Sequence, residues 1–154
     1  MTPAARVQAA IEILDIIIAA VRNNGASADR IVAEWFKTRR FAGSGDRRAV
    51  RELVFRAIRV CGEAPLSGRA AMLLLASGDE ALNALFDGSS HAPAPIKAEE
   101  PVATAGVAPL WLVAALKSSG IGEVEAKSLL ERAPLDIRIN SLREGSAEMP
   151  SGAE

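Results

Sequence analysis

Apolar residues recur at helical spacing along most of this 154-residue chain, in short segments that start at capping residues and stop at Gly, Asn or Pro. The first segment opens on Thr2-Pro3 and ends at Asn23-Asn24-Gly25, which can adopt a left-handed turn. Aromatic residues make up only 4% of the chain, which favours helices over a β-sandwich. We therefore predict an all-α bundle of about seven helices, at about 3–22, 28–39, 46–59, 68–76, 79–87, 108–118 and 122–132. The predicted N-caps of the second to fifth helices are Ser27, Asp46, Ser67 and Asp79.

The spacing of the apolar residues also predicts which faces of these helices form the core. The fourth helix is almost entirely apolar from Ala70 to Leu75, which predicts a central position. Trp111 is predicted to anchor the sixth helix in the core. The other predicted core residues are Ile11, Leu14, Ile18 and Val21 in the first helix, Ile31, Val32, Trp35 and Phe36 in the second, and Val50, Leu53, Val54, Ala57 and Ile58 in the third.

Two regions depart from the helical pattern. Residues 88–107 are rich in Pro, Ala and Ser, which predicts a loop or linker. After Pro134, Ile137 and Ile139 alternate with Arg138 and Asn140, the pattern of a short strand. We therefore expect a helical domain at 3–132, the start of a linker or small subdomain at 133–143, and a disordered polar tail at 144–154.

Several functional classes are disfavoured by composition. The single Cys61 excludes an internal disulfide framework, and with only one histidine, His91, we expect no metal site. The adjacent Glu99 and Glu100 lie in the Pro-rich segment, where a flexible chain would not hold acid–base geometry. No signal peptide or apolar run of membrane-spanning length is found, so we expect a cytoplasmic protein without a membrane partner.

Charge is strongly segregated along the chain, although the net charge is only −1. Residues 30–60 hold nine Lys and Arg against three acids, a net charge of +6, whereas residues 61–154 carry −6. The cations flank a Gly-rich turn at the end of the second helix and the start of the third, where free backbone N–H groups also favour a phosphate. The candidate phosphate-binding residues are Lys37, Arg39, Arg40, Arg47, Arg48 and Arg51.

A simpler interpretation of the same residues is a solvated charged face. Arg48 with Glu52, and Glu52 with Arg56, have the i,i+4 spacing of intrahelical ion pairs, each worth only about 0.3–0.5 kcal/mol. Such pairs would leave Arg39, Arg40, Arg47 and Arg51 without partners nearby in sequence. Composition alone leaves both interpretations open.

Three segments resemble known bacterial proteins. Residues 41–59 are similar to the signature helix of NusB-like domains, in which a turn, an Asp-Arg pair and a Glu-Leu-Val-aromatic run precede a final Arg. Pro109-Leu110-Trp111-Leu112, together with residues 129–142, resembles the RsmB (Sun/Fmu) family of 16S rRNA cytosine-C5 methyltransferases. In that family a P-x-W-L helix closes the NusB-like domain, and an R-[VI]-N-[TS]-L strand opens the next subdomain.

The resemblance covers about 3–142 and implies a seven-helix NusB-like fold that binds RNA, with 16S rRNA as the expected partner. Catalysis in the family uses S-adenosylmethionine and two cysteines of a downstream domain, and these 154 residues contain no matching Gly-rich turn or Pro-Cys or Thr-Cys motif. We therefore expect an rRNA-recognition module with no cofactor and no activity of its own. The alternative is a NusB-type antitermination domain that binds a protein partner. The oligomeric state is left open.

Overall fold

The computed structural model describes residues 1–131, which form seven α-helices and, within that range, no strand. The all-α bundle of seven helices is therefore confirmed. The predicted strand-like segment at 133–143 and the tail at 144–154 lie outside the described residues. The helices are α1 (Pro3–Arg22), α2 (Ala28–Lys37), α3 (Ser44–Val60), α4 (Gly68–Ser77), α5 (Glu80–Asn83), α6 (Leu110–Ser118) and α7 (Glu123–Ser128).

Helix ends agree with the sequence prediction where the predicted end residue makes a local backbone hydrogen bond. At the start of α1, Thr2 Oγ1 accepts the N–H of Ala5 at 3.1 Å. At its end, Asn24 takes a positive φ of 49°, and the Gly25 N–H donates to a carbonyl of the last turn. Gly120 ends α6 in the same way, with a φ of 83°.

The ends of four helices differ from the prediction. Helix α5 stops at Asn83 and α7 at Ser128, each about four residues before the predicted end. Helix α2 stops at Lys37, two residues early, and α3 starts at Ser44 with Gly43 as its N-cap. Asp46 was predicted as the cap, but it is the third residue of the helix, and its carboxylate accepts the Gly43 N–H at 3.2 Å. A side chain that reaches back from this position satisfies the same end of the helix, so Asp46 stabilises the start of α3 from one turn later.

The core is built around α1, which packs against α2, α3 and α4. The predicted stripe of α2 is fully confirmed, since Ile31, Val32, Trp35 and Phe36 are all buried. Helix α4 is central, as predicted, with seven of its ten residues buried. In α1 and α3 two predicted core residues are wrong: Val21 and Ile58 are exposed, because each lies in the last turn of its helix, beyond the packed faces.

The crossing of α1 and α4 depends on Gly68. A Cβ at this position would lie 2.2 Å from the carbonyl oxygen of Ile11 and 2.9 Å from the backbone nitrogen of Asp15. The Gly68 N–H donates to the Asp15 carboxylate at 2.6 Å, which places a negative charge at the N-terminus of α4. The backbones can approach this closely only because Gly68 has no side chain.

The segment from 88 to 107 is a loop, as predicted, and it packs along α4. Pro93 is fully buried, and the Ala103 N–H donates to the carbonyl of Ala70 at 3.1 Å. The Arg69 guanidinium binds the Glu100 carboxylate through two nitrogens, one of them at 2.8 Å, and also donates to the carbonyl of Ala94. These contacts hold the loop against the helical core.

Helices α6 and α7 lie outside that core. No residue of α6 is buried, and Ala126 is the only buried residue of α7. Trp111 is 71% exposed, so its predicted role as a core anchor is wrong. Because α6 is apolar on most sides, its sequence pattern does not determine which face meets the core. Within residues 1–131, no helix is long and apolar enough to cross a membrane.

Candidate nucleic-acid interface

The six candidate cations, here called the basic surface, lie on the last turn of α2, the loop after it and the first half of α3 (Lys37, Arg39, Arg40, Arg47, Arg48, Arg51). The loop folds back on itself, since the Ala42 N–H donates to the carbonyl of Arg39 at 3.1 Å. Arg47 Nε donates to the carbonyl of Ala42 at 3.0 Å, and its guanidinium lies 5.8 Å from the ring centre of Phe36. The first turn of α3 is therefore fixed against the end of α2.

Arg39 is held by the ring of Trp35. Its guanidinium carbon lies 3.8 Å from the ring centre, and Nη1 donates to the Trp35 carbonyl at 3.3 Å. A carboxylate oxygen of Glu12, on α1, lies 3.8 Å from Nη2. Nη1 also donates to Thr38 Oγ1 at 3.3 Å, so Arg39 is positioned by four contacts and keeps part of its guanidinium exposed.

Lys37 and Arg51 are each paired with a carboxylate. Lys37 Nζ lies 2.6 Å from Glu34, one turn earlier on α2. Arg51 pairs with Asp29 at the start of α2, so it lies at the opposite end of that helix from Arg39. The structure therefore brings Arg39 and Arg47 together around the α2–α3 loop and places Arg51 apart from them.

The two i,i+4 pairs of the solvated-face interpretation, Arg48 with Glu52 and Glu52 with Arg56, do not form. Glu52 pairs with Arg59 at 3.3 Å, and Arg56 pairs with Asp79, before α5, at 3.4 Å. No carboxylate among residues 1–131 lies within 4.0 Å of the three remaining cations of the basic surface, which are Arg40, Arg47 and Arg48.

The N-terminus of α3 already holds an internal anion. The Asp46 carboxylate receives a hydrogen bond from the Met1 ammonium at 3.1 Å and another from Arg6 Nε at 2.9 Å. The ammonium, followed by Arg6 and the Gly43 N–H, holds the pKa of this carboxyl below its usual range. The positive charge left for an external phosphate is therefore that of the Arg side chains.

Phe41 is a candidate functional residue that the sequence reasoning missed. It lies in the α2–α3 loop directly after Arg40, and it is 72% exposed. A large aromatic ring exposed among cations is typical of surfaces on which bases of single-stranded nucleic acid stack. The available signal was its position in a run of cations, next to the Gly-rich turn.

Other reactive side chains form no catalytic group within the described range. Cys61 is half-buried at the end of α3, and burial raises the pKa of its thiol, which opposes formation of a nucleophilic thiolate. His91 is exposed. Glu100 is held by Arg69, which lowers its pKa to about 2 and keeps it ionised. Residues 1–131 contain no cluster of three His, Cys, Asp or Glu side chains suited to a metal ion.

Comparison with known proteins gives no match to a family model, to a curated sequence or to a solved structure. The similarity to NusB-like domains and to the cytosine-C5 methyltransferases rests on the sequence motifs alone and stays a prediction. The helical fold agrees with the helix number that the resemblance implies.

Proposed function

We propose that this chain is a cytoplasmic RNA-binding module of the NusB-like type, the rRNA-recognition part of a 16S rRNA cytosine-C5 methyltransferase. The observation that carries the proposal is the set of three arginines, Arg40, Arg47 and Arg48, that have no carboxylate partner within residues 1–131 around a loop held in place by Trp35 and Phe36. Binding at this surface needs no metal or cofactor from these residues.

Positioned guanidinium groups suit phosphate oxygens. Arg47 is fixed by the Ala42 carbonyl and Arg39 by Trp35, so both lose less side-chain entropy when they bind a phosphate than free side chains would. The exposed ring of Phe41 next to Arg40 adds a stacking surface for an unpaired base. Together these features favour single-stranded segments or loops of an RNA over a continuous duplex.

The test removes charge without removing structural contacts. Arg40 and Arg48 make no side-chain hydrogen bond or ion pair within the described residues, so Arg40→Gln/Arg48→Gln should leave the fold intact. For a single-stranded rRNA fragment, the slope of log K against log salt should fall by about 0.7 for each lost phosphate contact, or about 1.4 in total. Fluorescence anisotropy over a salt series measures this slope.

Lys97→Gln/Lys117→Gln is the matched control, since it removes the same charge from residues outside the basic surface. Its slope should equal that of the unchanged chain. If both double variants reduce affinity equally, binding follows net charge and the proposed surface is wrong. Phe41→Ser should weaken binding to the single strand and leave binding to a duplex unchanged.

The alternative function is that of a NusB-type antitermination domain with a ribosomal protein as partner. The exposed apolar residues of α6, among them Leu110 and Trp111, favour a protein contact. Retrieval of such a protein by the chain after nuclease treatment, with equal yield from Arg40→Gln/Arg48→Gln, would support this alternative. Incubation with labelled S-adenosylmethionine and rRNA should give no methyl transfer in either case.

A further inference from the structure

An apolar groove of about 860 Å³ lies between α6 and α7 on one side and, on the other, the end of α3 and residues 104–108, which lead into α6. We call it the α6–α7 groove; its walls include Val60, Ala105, Val113, Leu116, Ala126 and Leu130. Most of its lining is hydrocarbon, and the groove explains why α6 has no buried residue. An apolar cleft of this size is suited to the side chains of a bound segment.

One wall of the groove is an extended backbone with an open edge. Cys61 and Ala105 form an isolated antiparallel bridge, flanked by hydrogen bonds from the Gly62 N–H to the Thr104 carbonyl (3.0 Å) and from the Gly106 N–H to the Val60 carbonyl (3.1 Å). In an antiparallel pair of this kind, the N–H and C=O of the two facing residues point away from each other.

The backbone N–H and C=O of Ala105 therefore point outwards. Neither has a hydrogen-bond partner within residues 1–131. Gly62 and Gly106 let the two backbones approach, since a Cβ on Gly62 would lie 2.8 Å from the Cα of Gly106. The bridge thus presents one side of Ala105 as a receptor edge for a further strand.

We propose that residues 135–142 of this same chain add to that edge as a strand and cover the α6–α7 groove. The sequence of this segment alternates, with Leu135, Ile137 and Ile139 on one side and Asp136 and Arg138 on the other. A strand of that pattern needs both a hydrogen-bonding edge and an apolar surface, and the groove offers the two side by side.

Chain connectivity favours this segment over any other occupant. Leu130 is itself part of the groove wall, and only four residues separate it from Leu135. Five extended steps span roughly 17 Å, which allows the chain to turn back along the groove. Because the segment is tethered beside its receptor, its effective concentration exceeds that of a free peptide or of a second copy.

The Ala105 amide reports on the proposed pairing in the full 154-residue chain. Hydrogen exchange followed by NMR should be at least about tenfold faster at this amide in Ile137→Asp/Ile139→Asp than in the unchanged chain, because the covering strand is lost. The amides of Gly62 and Gly106 should exchange equally in both, since their partners lie within the bridge. The control Arg138→Ser/Asn140→Ser alters the opposite side of the strand and should keep the slow exchange at Ala105.

Two outcomes would overturn the proposal. If Ala105 exchanges at the same rapid rate in all three chains, no strand covers its edge. If slow exchange appears only at concentrations where the chain is dimeric by light scattering, the strand comes from a second copy. A second test needs no substitution. In the unchanged chain, cross-strand NOEs between Ala105 and residues 135–142 should be present. Their absence overturns the proposal even if the double variant fails to fold.

Discussion

Helices α4 and α6 are both short and rich in Ala and Leu, yet α4 is mostly buried and α6 is not. Seven of the ten residues of α4 are buried, whereas none of the nine residues of α6 is. The difference comes from their neighbours: α4 packs against α1, α3 and α5, while α6 faces a groove and solvent. Two helices with similar composition can therefore contribute very differently to stability, and the contrast can be tested at single residues.

The largest expected effect comes from the contact that makes α4 central. Gly68→Ala places a Cβ 2.2 Å from the carbonyl oxygen of Ile11, and neither backbone can move without separating α1 from α4. We expect a loss of at least about 4 kcal/mol in the free energy of unfolding, measured by urea denaturation. Gly45→Ala is the control, because a Cβ on Gly45 meets no atom within 4 Å, and its effect should stay within about 0.5 kcal/mol. A similar loss for both variants would contradict the close approach of the two helices.

The next largest effect is expected when the same substitution, Leu to Ala, is made in the buried core and in the exposed helix α6. Leu14 of α1 is 2% exposed within the core, and Leu110 of α6 is 77% exposed. Leu14→Ala should destabilise the chain by about 3–5 kcal/mol through lost burial and the cavity left behind. Leu110→Ala should change stability by less than about 0.5 kcal/mol. Equal losses in thermal or urea unfolding would mean that α6 is packed as tightly as α1.

The smallest effect is expected in the 88–107 loop, which connects the helical core to α6. Arg69 lowers the pKa of Glu100 from 4.5 to about 2, so the ion pair stabilises the folded chain above the unfolded pKa and is lost as the pH falls towards 2. Glu100→Gln should therefore reduce the melting temperature at neutral pH, by less than Leu14→Ala does. The gap from the unchanged chain should narrow between about pH 4.5 and 2. Glu99→Gln is the control, because the Glu99 side chain makes no ion pair or hydrogen bond within residues 1–131, and it should leave the melting temperature at neutral pH unchanged.

Local patterns predicted most of the helices well. Thr2, Ser67 and Asp79, predicted as N-caps, each accept a backbone N–H from three residues later, a bond that depends only on local sequence. Ser27 occupies the N-cap position of α2 but makes no side-chain cap bond. The start of α3 was misplaced because Asp46 caps the helix from its third position. Its carboxylate also binds Met1 and Arg6, which lie 45 and 40 residues earlier in the sequence, and local sequence does not reveal these contacts.

The candidate site was predictable as a set of residues and not as an arrangement. Charge segregation along the chain selected the six cations of the basic surface, and their role in binding stays a prediction. Which of them have carboxylate partners depended on other elements: Glu12 of α1 reaches Arg39, and Asp29 at the far end of α2 reaches Arg51. The exposure of Phe41 likewise depended on how the α2–α3 loop folds against its neighbours.

The sequence by itself determined the helical class, the positions of the helices to within a few residues, and the basic character of residues 30–60, since periodicity, caps and charge are properties of short stretches. Only the tertiary structure decided that α1 packs against α2, α3 and α4, that Trp111 is exposed, and that Arg40, Arg47 and Arg48 have no carboxylate partner within residues 1–131. Burial and ion pairing involve residues far apart in sequence. The local sequence pattern is compatible with several packing arrangements, and tertiary packing decides which one forms.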